Sequence, residues 1–528
     1  MRGARGSAFG AIARFWCDDL PPLDGRLRSV FYLLLLAREV SSSTWTLTLP
    51  EFARRVDLSL FLYPDGIFHT LSPVLGASLP APGVLLGARA ALVLCWLAAG
   101  VGLLWRLTAP LTALLYLLLY GLAAGVGITH SGHVALWTLG ALCFCQPHDR
   151  FTLDTWLAAR SPRYARLAGA PGPLSGSGFG RKLALLGAVA SLAGGGFSKL
   201  WIGGLQWLDG KPIELFILRT AVVGDYRWPA LARFLLAHPR VLSAAAAATV
   251  ALELGSVTAL FSRRLRPLIL AAACAFHIGI LLVMVPAFWL QMISYIPCVD
   301  WQDLGRRLRL RGEPARAGQT AAADTAPSRA LGGALGCTLS AMWLWVIVAQ
   351  IEYYPLSCSP MYAPYVTQQT LAALRDPAVR GAVARRALTE DATILQLALA
   401  MVCPLRVVDS QSGRYQYIRP QMGTGGWERV FFATVLRDLA QPTGDPRTSR
   451  VGRFLADHLA VIVPAPGDRV SPIPQVLRHN LAQGLHPDRV ELVCGFDHVV
   501  RDLPADAEVV VIGAAPLGAR ERALLAPP

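Results

Sequence analysis

Apolar residues run in long blocks along this chain rather than alternating with polar ones. Several blocks approach the roughly 20 apolar residues that a bilayer crossing requires, and some are interrupted by Gly or Pro. The blocks are Val84 to Leu104, Leu107 to Ile128, His133 to Phe144, Leu183 to Trp201, Val241 to Leu260, Leu268 to Val285, a short Pro286 to Ile296, and Leu331 to Ile351. An earlier piece, Val30 to Ala37, is followed by Arg38 and Glu39 and reads as a marginal crossing or an interfacial helix. The pattern predicts an all-α polytopic membrane domain of about eight or nine helices.

After Ile351 the hydrophobicity falls and a second pattern begins. Thr370 to Ala400 carries Ala, Leu and Arg at amphipathic spacing, with a break at Asp376-Pro377. Arg414 to Ile418, His458 to Val463, Val490 to Cys494 and Val509 to Ile512 read as short strands. A small α/β soluble domain over 363–528 is expected, joined to a membrane domain over 26–362. Gly312 to Ser328 is expected to be a mobile linker, and residues 1–25 an N-terminal cytoplasmic segment. Met1 to Asp24 lacks the continuous apolar stretch of a cleavable signal.

Composition supports this division: of 528 residues 54% are hydrophobic and only 16% charged. The net charge of +15 comes mostly from arginines between apolar blocks, as cytoplasmic loops would have, so no nucleic-acid partner is expected. The clusters are Arg106, the run Arg150 to Lys182, the trio Arg263, Arg264 and Arg266, and the run Arg306 to Arg316. They fall on one side if Pro286 to Ile296 counts as a crossing, which places the C-terminal domain outside the cytoplasm. Arg219, Arg227, Arg233 and Arg240 run against that scheme. The ten cysteines include no CxxC pair, and no metal site is expected.

Lys199 is the first candidate for chemistry. It ends an apolar stretch beginning beside Lys182, 17 residues earlier or about 26 Å at the helical rise. A buried ammonium must be paired or neutralised, whereas a snorkelling lysine needs neither. The same loop argument puts His130 and His133 at the depth of Lys199. Near mid-membrane, Glu253 and His277 lie on consecutive helices and could face each other, as a helix lock or a proton relay. Asp497, His498, His458, His479 and His486 show no ligand spacing, and Gly423 to Gly426 reads as a turn.

Three places resemble one family. They are Gly102-Leu103-Leu104-Trp105-Arg106-Leu107-Thr108 at a helix junction, His133 followed by an apolar helix with Arg150-Phe151 and Asp154 beyond it, and Phe197-Ser198-Lys199-Leu200 with Trp207 and Asp209-Gly210. In order and spacing they are similar to the transmembrane domain of vitamin K-dependent gamma-carboxylases and their bacterial relatives, the horizontally transferred transmembrane proteins. The match covers roughly Arg26 to Tyr362.

The resemblance implies a multi-pass protein of a bacterial cell membrane. Its Lys199 would deprotonate a reduced quinone such as vitamin K hydroquinone, with His133 assisting and His130, Phe197, Trp201 and Trp207 holding the quinone. Oxygen and carbon dioxide would be co-substrates, and a glutamyl residue of a peptide would be carboxylated. The carboxylases carry a large β-rich extramembrane region, unlike the α/β pattern after Tyr362. A lysine base near neutral pH requires desolvation or a neighbouring cation, which the apolar residues beside Lys199 would provide. Two other functions fit the same sequence: a non-enzymatic membrane binding or scaffold protein, and a quinone-linked redox protein indifferent to bicarbonate. A transporter is disfavoured, because the polar residues cluster at one face and no tandem repeat is evident.

Overall fold

The computed structural model describes residues 8–41, 80–126, 132–145, 151–168, 174, 177–214, 217, 228–284, 288–307, 326–353, 356–357, 405–418, 485–486, 488–494 and 510–516. They are mostly helical. Among the described residues, six helices are long and apolar enough to cross a membrane: Pro82–Val101, Trp105–Leu122, Phe179–Gly203, Pro239–Phe261, Arg266–Met284 and Pro327–Val348. That number fits a multi-pass integral membrane protein.

In chain order the helices are α1 (Ala8–Cys17), α2 (Gly25–Ser41), α3 (Pro82–Val101), α4 (Trp105–Val126), α5 (His133–Leu142), α6 (Leu153–Ala158), α7 (Pro162–Ala168) and α8 (Phe179–Gly203). They continue with α9 (Pro229–Ala237), α10 (Pro239–Gly255), α11 (Thr258–Phe261), α12 (Arg266–Met284), α13 (Trp289–Tyr295), α14 (Trp301–Arg307) and α15 (Ala326–Val348). Proline opens α3, α9 and α10, where its fixed φ suits the first turn and its missing N–H is not needed.

Helix α8 is the axis of the bundle. Of its apolar stretch 83% is buried, against 28–50% for the other five spans. Those five keep residues such as Leu94, Leu107, Leu268, Leu344 and Trp345 exposed, as hydrocarbon contact allows. The sequence-expected crossing at His133 is a ten-residue helix, about 15 Å long and only half a bilayer. It lies antiparallel to α8, with Trp137 donating to the Leu183 carbonyl at 2.8 Å. The short crossing expected over Pro286 to Ile296 is the seven-residue α13 and a 3-10 turn, Ile296–Cys298, which return the chain to Arg181. From Ala8 onward, the described N-terminal residues pack against the bundle. Ala13, Trp16 and Cys17 form one apolar face of α1, and Trp16 packs where a Cβ on Gly336 of α15 would sit.

Side-chain bonds between distant segments tie one end of the bundle together. Gly102 closes α3 in the left-handed region at φ 71, and the Arg28 guanidinium fills the space that a Cβ there would need. Arg28 donates to Thr152 at 3.1 Å and to the Phe151 carbonyl at 3.0 Å. Asp154 accepts the free backbone N–H groups of Leu104 at 2.7 Å and Trp105 at 2.9 Å, capping α4 across the chain. The Tyr164 hydroxyl also donates to Asp154, and burial together with that carboxylate pushes its pKa up to about 12. Asp19 meets Lys182, Arg263 and Arg266. Burial alone would raise the Asp19 pKa, but the three cations outweigh it and hold the carboxyl below its ordinary range. This hub unites two of the predicted basic clusters, the run ending at Lys182 and the trio around Arg263, at one end.

Beyond α15, β1 (Glu352–Tyr353) pairs with β2 (Leu356–Ser357). Four further strands, β3 (Leu405–Val408), β4 (Tyr415–Ile418), β5 (Arg489–Cys494) and β6 (Val510–Pro516), form an antiparallel sheet in the order β4-β3-β5-β6. The expected strand at His458 to Val463, the helix over 370–400 and the candidate His130 lie outside the described residues. Most of the expected linker does too, but its last residues already belong to α15.

Candidate functional site

The site begins with a local departure from helix preference. Gly194, Gly195 and Gly196 stand together within α8, although each costs about 1 kcal/mol relative to Ala in a helix interior. Their gain is proximity: a Cβ on Gly196 would lie 2.9 Å from the Glu253 Cβ and 3.2 Å from the Leu254 backbone nitrogen. Helix α10 therefore approaches α8 closely enough to bring Glu253 against it.

Lys199 lies one turn further along α8. Helical side chains lean toward the N-terminus, and this one folds back to within 3.4 Å of the Gly195 carbonyl. It does not snorkel outward. Its Nζ is 2.8 Å from each Glu253 carboxylate oxygen, and the Trp207 ring lies 5.5 Å from it on the other side. Lys199 is 4% exposed and Glu253 5%, so the pair is withdrawn from solvent and lipid alike. Two such charges survive burial only because each compensates the other. The Ser256 hydroxyl donates to the Glu253 backbone carbonyl at 2.6 Å and fixes the end of α10.

Glu253 and His277 do not pair as the sequence suggested. The Lys199 side chain reaches inward and takes the carboxylate, while His277 Nε2 lies 3.0 Å from the Tyr295 hydroxyl. The imidazole stacks on Phe288 at 4.8 Å, and its Nδ1 has no hydrogen-bond partner among the described residues. Lys199 is within electrostatic reach of His277, and Glu253 of Tyr295, on the neighbouring helices.

His133 stands elsewhere. The Ala141 carbonyl lies against Gly180, so an antiparallel α5 sets His133 roughly beside Ala188, while the Lys199 ammonium reaches Gly195. The difference is about two helical turns, on the order of 10 Å. The ring of His133 meets Tyr120 edge-on, with centroids 6.2 Å apart. Phe197 stacks on Trp201 at 5.7 Å, and Trp201 is 68% exposed on the outer surface of α8, facing away from the buried pair. Of the aromatic residues expected around Lys199, Trp207 touches its ammonium.

Sequence reasoning named Glu253 but missed its partner, and it missed Tyr295 altogether. The depth count treated Lys199 as a point at its Cα, whereas its long side chain moves the charge a full turn inward. The Gly194 to Gly196 run was the available signal of a close helix approach. Among the described residues no group of three His, Cys, Asp or Glu side chains is placed to hold a metal ion.

Compared with models of known protein families, with curated proteins and with solved structures, the chain finds no match.

Proposed function

We propose that this is a multi-pass membrane enzyme of the carboxylase-like class, which takes a proton from a lipid-borne acid, a reduced quinone, at the Lys199 and Glu253 pair. The observation that carries the reading is the pair itself, a buried ammonium 2.8 Å from both oxygens of a buried carboxylate. With Lys199 protonated and Glu253 ionised the pair is neutral and still has room for one more proton.

In this reading Glu253 holds the accepted proton on its carboxylate, and Lys199 passes it there or stays charged beside the anion left behind. This modifies the simple lysine base, because in the ion pair the carboxylate has an open site for a proton and the ammonium has none. The residues present suit an aromatic diol: the Lys199 ammonium and His277 Nδ1 offer polar contacts, and Trp207 and Phe288 offer flat apolar ones. When bound, the reduced quinone would supply the acidic hydroxyl and, with oxygen, the driving force for glutamyl carboxylation by carbon dioxide. The Ser256 hydroxyl donates to the Glu253 backbone carbonyl at 2.6 Å and lies 3.5 Å from the Val189 carbonyl, which sets the end of α10 against α8.

The finer assignments belong to the same proposal. We take β3 to β6 as part of a small α/β domain over 363–528, on the outer side of a bacterial membrane. A reporter fused after Pro528 tests the side, and a cytoplasmic signal would reverse it.

A second reading, a non-enzymatic binding or scaffold protein, draws on the same pair acting only as a clamp between α8 and α10. Quinol epoxidation and bicarbonate-derived carboxylation, measured on full-length protein in lipid, separate the readings. Wild type should be active, and a folded Lys199→Met/Glu253→Met variant inactive. No turnover in wild type across several quinols and Glu-containing peptides favours the clamp. Quinol oxidation without bicarbonate dependence identifies a quinone-linked redox protein instead.

A further inference from the structure

The basic end of the bundle contains a cavity of about 210 Å³ lined by charge. Arg263, Arg266 and Arg306 face it together with Asp19, Asp300 and Asp303. The acids are already engaged. Asp19 serves Lys182, Arg263 and Arg266 at once, Asp300 accepts the Asp303 backbone N–H at 3.0 Å, and Asp303 pairs with Arg306 at 3.5 Å.

Behind the wall, Arg181 spends its guanidinium on neutral carbonyls, at 2.7 Å to Pro297 and 2.6 Å to Val299. The lining itself carries three arginines and three aspartates, and Arg181 and Lys182 behind it add two cations with no further carboxylate in the lining to offset them. Arg266 is 2% exposed and Lys182 fully buried, so bulk water does little to screen that excess.

The cavity also has a fixed height in the membrane. Arg266 is the first residue of the span Arg266–Met284, and the exposed Trp301 opens α14, whose Asp303, Leu304 and Arg306 line the cavity. A spanning helix that begins at the cavity wall and an interfacial tryptophan beside it mark the level of lipid headgroups. Pro267, Val299 and Leu304 give the wall an apolar side toward the acyl chains. Basic pockets at this level between membrane helices suit anionic headgroups.

We infer that this cavity is a binding site for a phosphate group, supplied by the headgroup of an anionic phospholipid. Arg263 and Arg306, 61% and 57% exposed at their side chains, close on the phosphate from the rim, and Arg266 supplies the buried charge.

The test uses full-length protein purified in detergent and compares thermal unfolding with added phosphatidylglycerol, phosphatidylcholine or inorganic phosphate. Phosphatidylglycerol should raise the midpoint by several degrees and survive on the protein in native mass spectrometry, with little effect from phosphatidylcholine. Arg263→Gln/Arg306→Gln should abolish that preference, whereas Arg160→Gln, exposed in the turn between α6 and α7, should retain it. An equal response to both lipids, or an unchanged preference in the double variant, overturns the site. A full shift with inorganic phosphate alone overturns the lipid source and makes it a soluble-anion site.

Discussion

Glu253 holds Lys199 symmetrically, each carboxylate oxygen 2.8 Å from the ammonium, across 54 residues of sequence. Removing one partner strands the other charge in an apolar interior. Lys199→Met or Glu253→Met alone should therefore cost about 3–5 kcal/mol, while the double variant should recover most of it. Unfolding midpoints of the four proteins form the cycle, and additive losses would show that the two residues do not act as a unit.

The glycine opposite Glu253 should be intolerant. A Cβ on Gly196 meets the Glu253 Cβ at 2.9 Å, so Gly196→Val should cost about 1–3 kcal/mol through overpacking and loosen the pair. Gly279, on α12, has nothing within 4 Å of a built Cβ. Gly279→Ala should be neutral or stabilise by up to about 1 kcal/mol through helix propensity. Equal effects at both positions would remove close approach as the reason for the Gly194 to Gly196 run.

Asp154 should matter to a helix 49 residues away. Asp154→Ala leaves the first N–H groups of α4 without their cap and should cost about 1–2 kcal/mol, with Asp154→Asn between. Leu104, which Asp154 holds, has φ 47, a conformation costly for a side chain with a Cβ. Leu104→Gly should consequently recover part of the loss in the Asp154→Ala background, as thermal melts of the two variants would reveal.

Acid should loosen the basic end. The Asp19 carboxyl is held below its ordinary value by Lys182, Arg263 and Arg266, against the effect of burial. Its stabilising contribution is thus full above the unfolded carboxylate range and disappears as pH falls through the folded value. Asp19→Asn should lower stability at neutral pH and flatten the decline in acid. Parallel pH curves for the two proteins would assign the acid sensitivity to other groups.

The apolar blocks made most of the membrane helices legible, because burial in lipid demands long, nearly uncharged runs. Of the basic clusters, two meet as their spacing suggested: Asp19 gathers Lys182, Arg263 and Arg266 at one end. His133 to Phe144 misled, since a run apolar enough for a crossing can instead be a half-length helix sheltered by α4 and α8. The family-like motifs proved informative in a different way. Gly102, Leu104, Trp105 and Asp154 meet at one helix junction, and Asp209 accepts a bond from Ser243 at 2.6 Å beside the left-handed Gly210. Much of each motif therefore builds architecture. Which charge meets which inside the bundle was not legible, because a lysine can place its ammonium a turn above or below its own Cα.

The same 54-residue separation sets an order of events during synthesis. At roughly 5–20 residues per second, Glu253 emerges about 3–11 seconds after Lys199. A nascent chain thus carries the Lys199 ammonium before the carboxylate that compensates it has been made. Glu253 therefore supplies the counter-charge that Lys199 lacks while the intervening chain is being made.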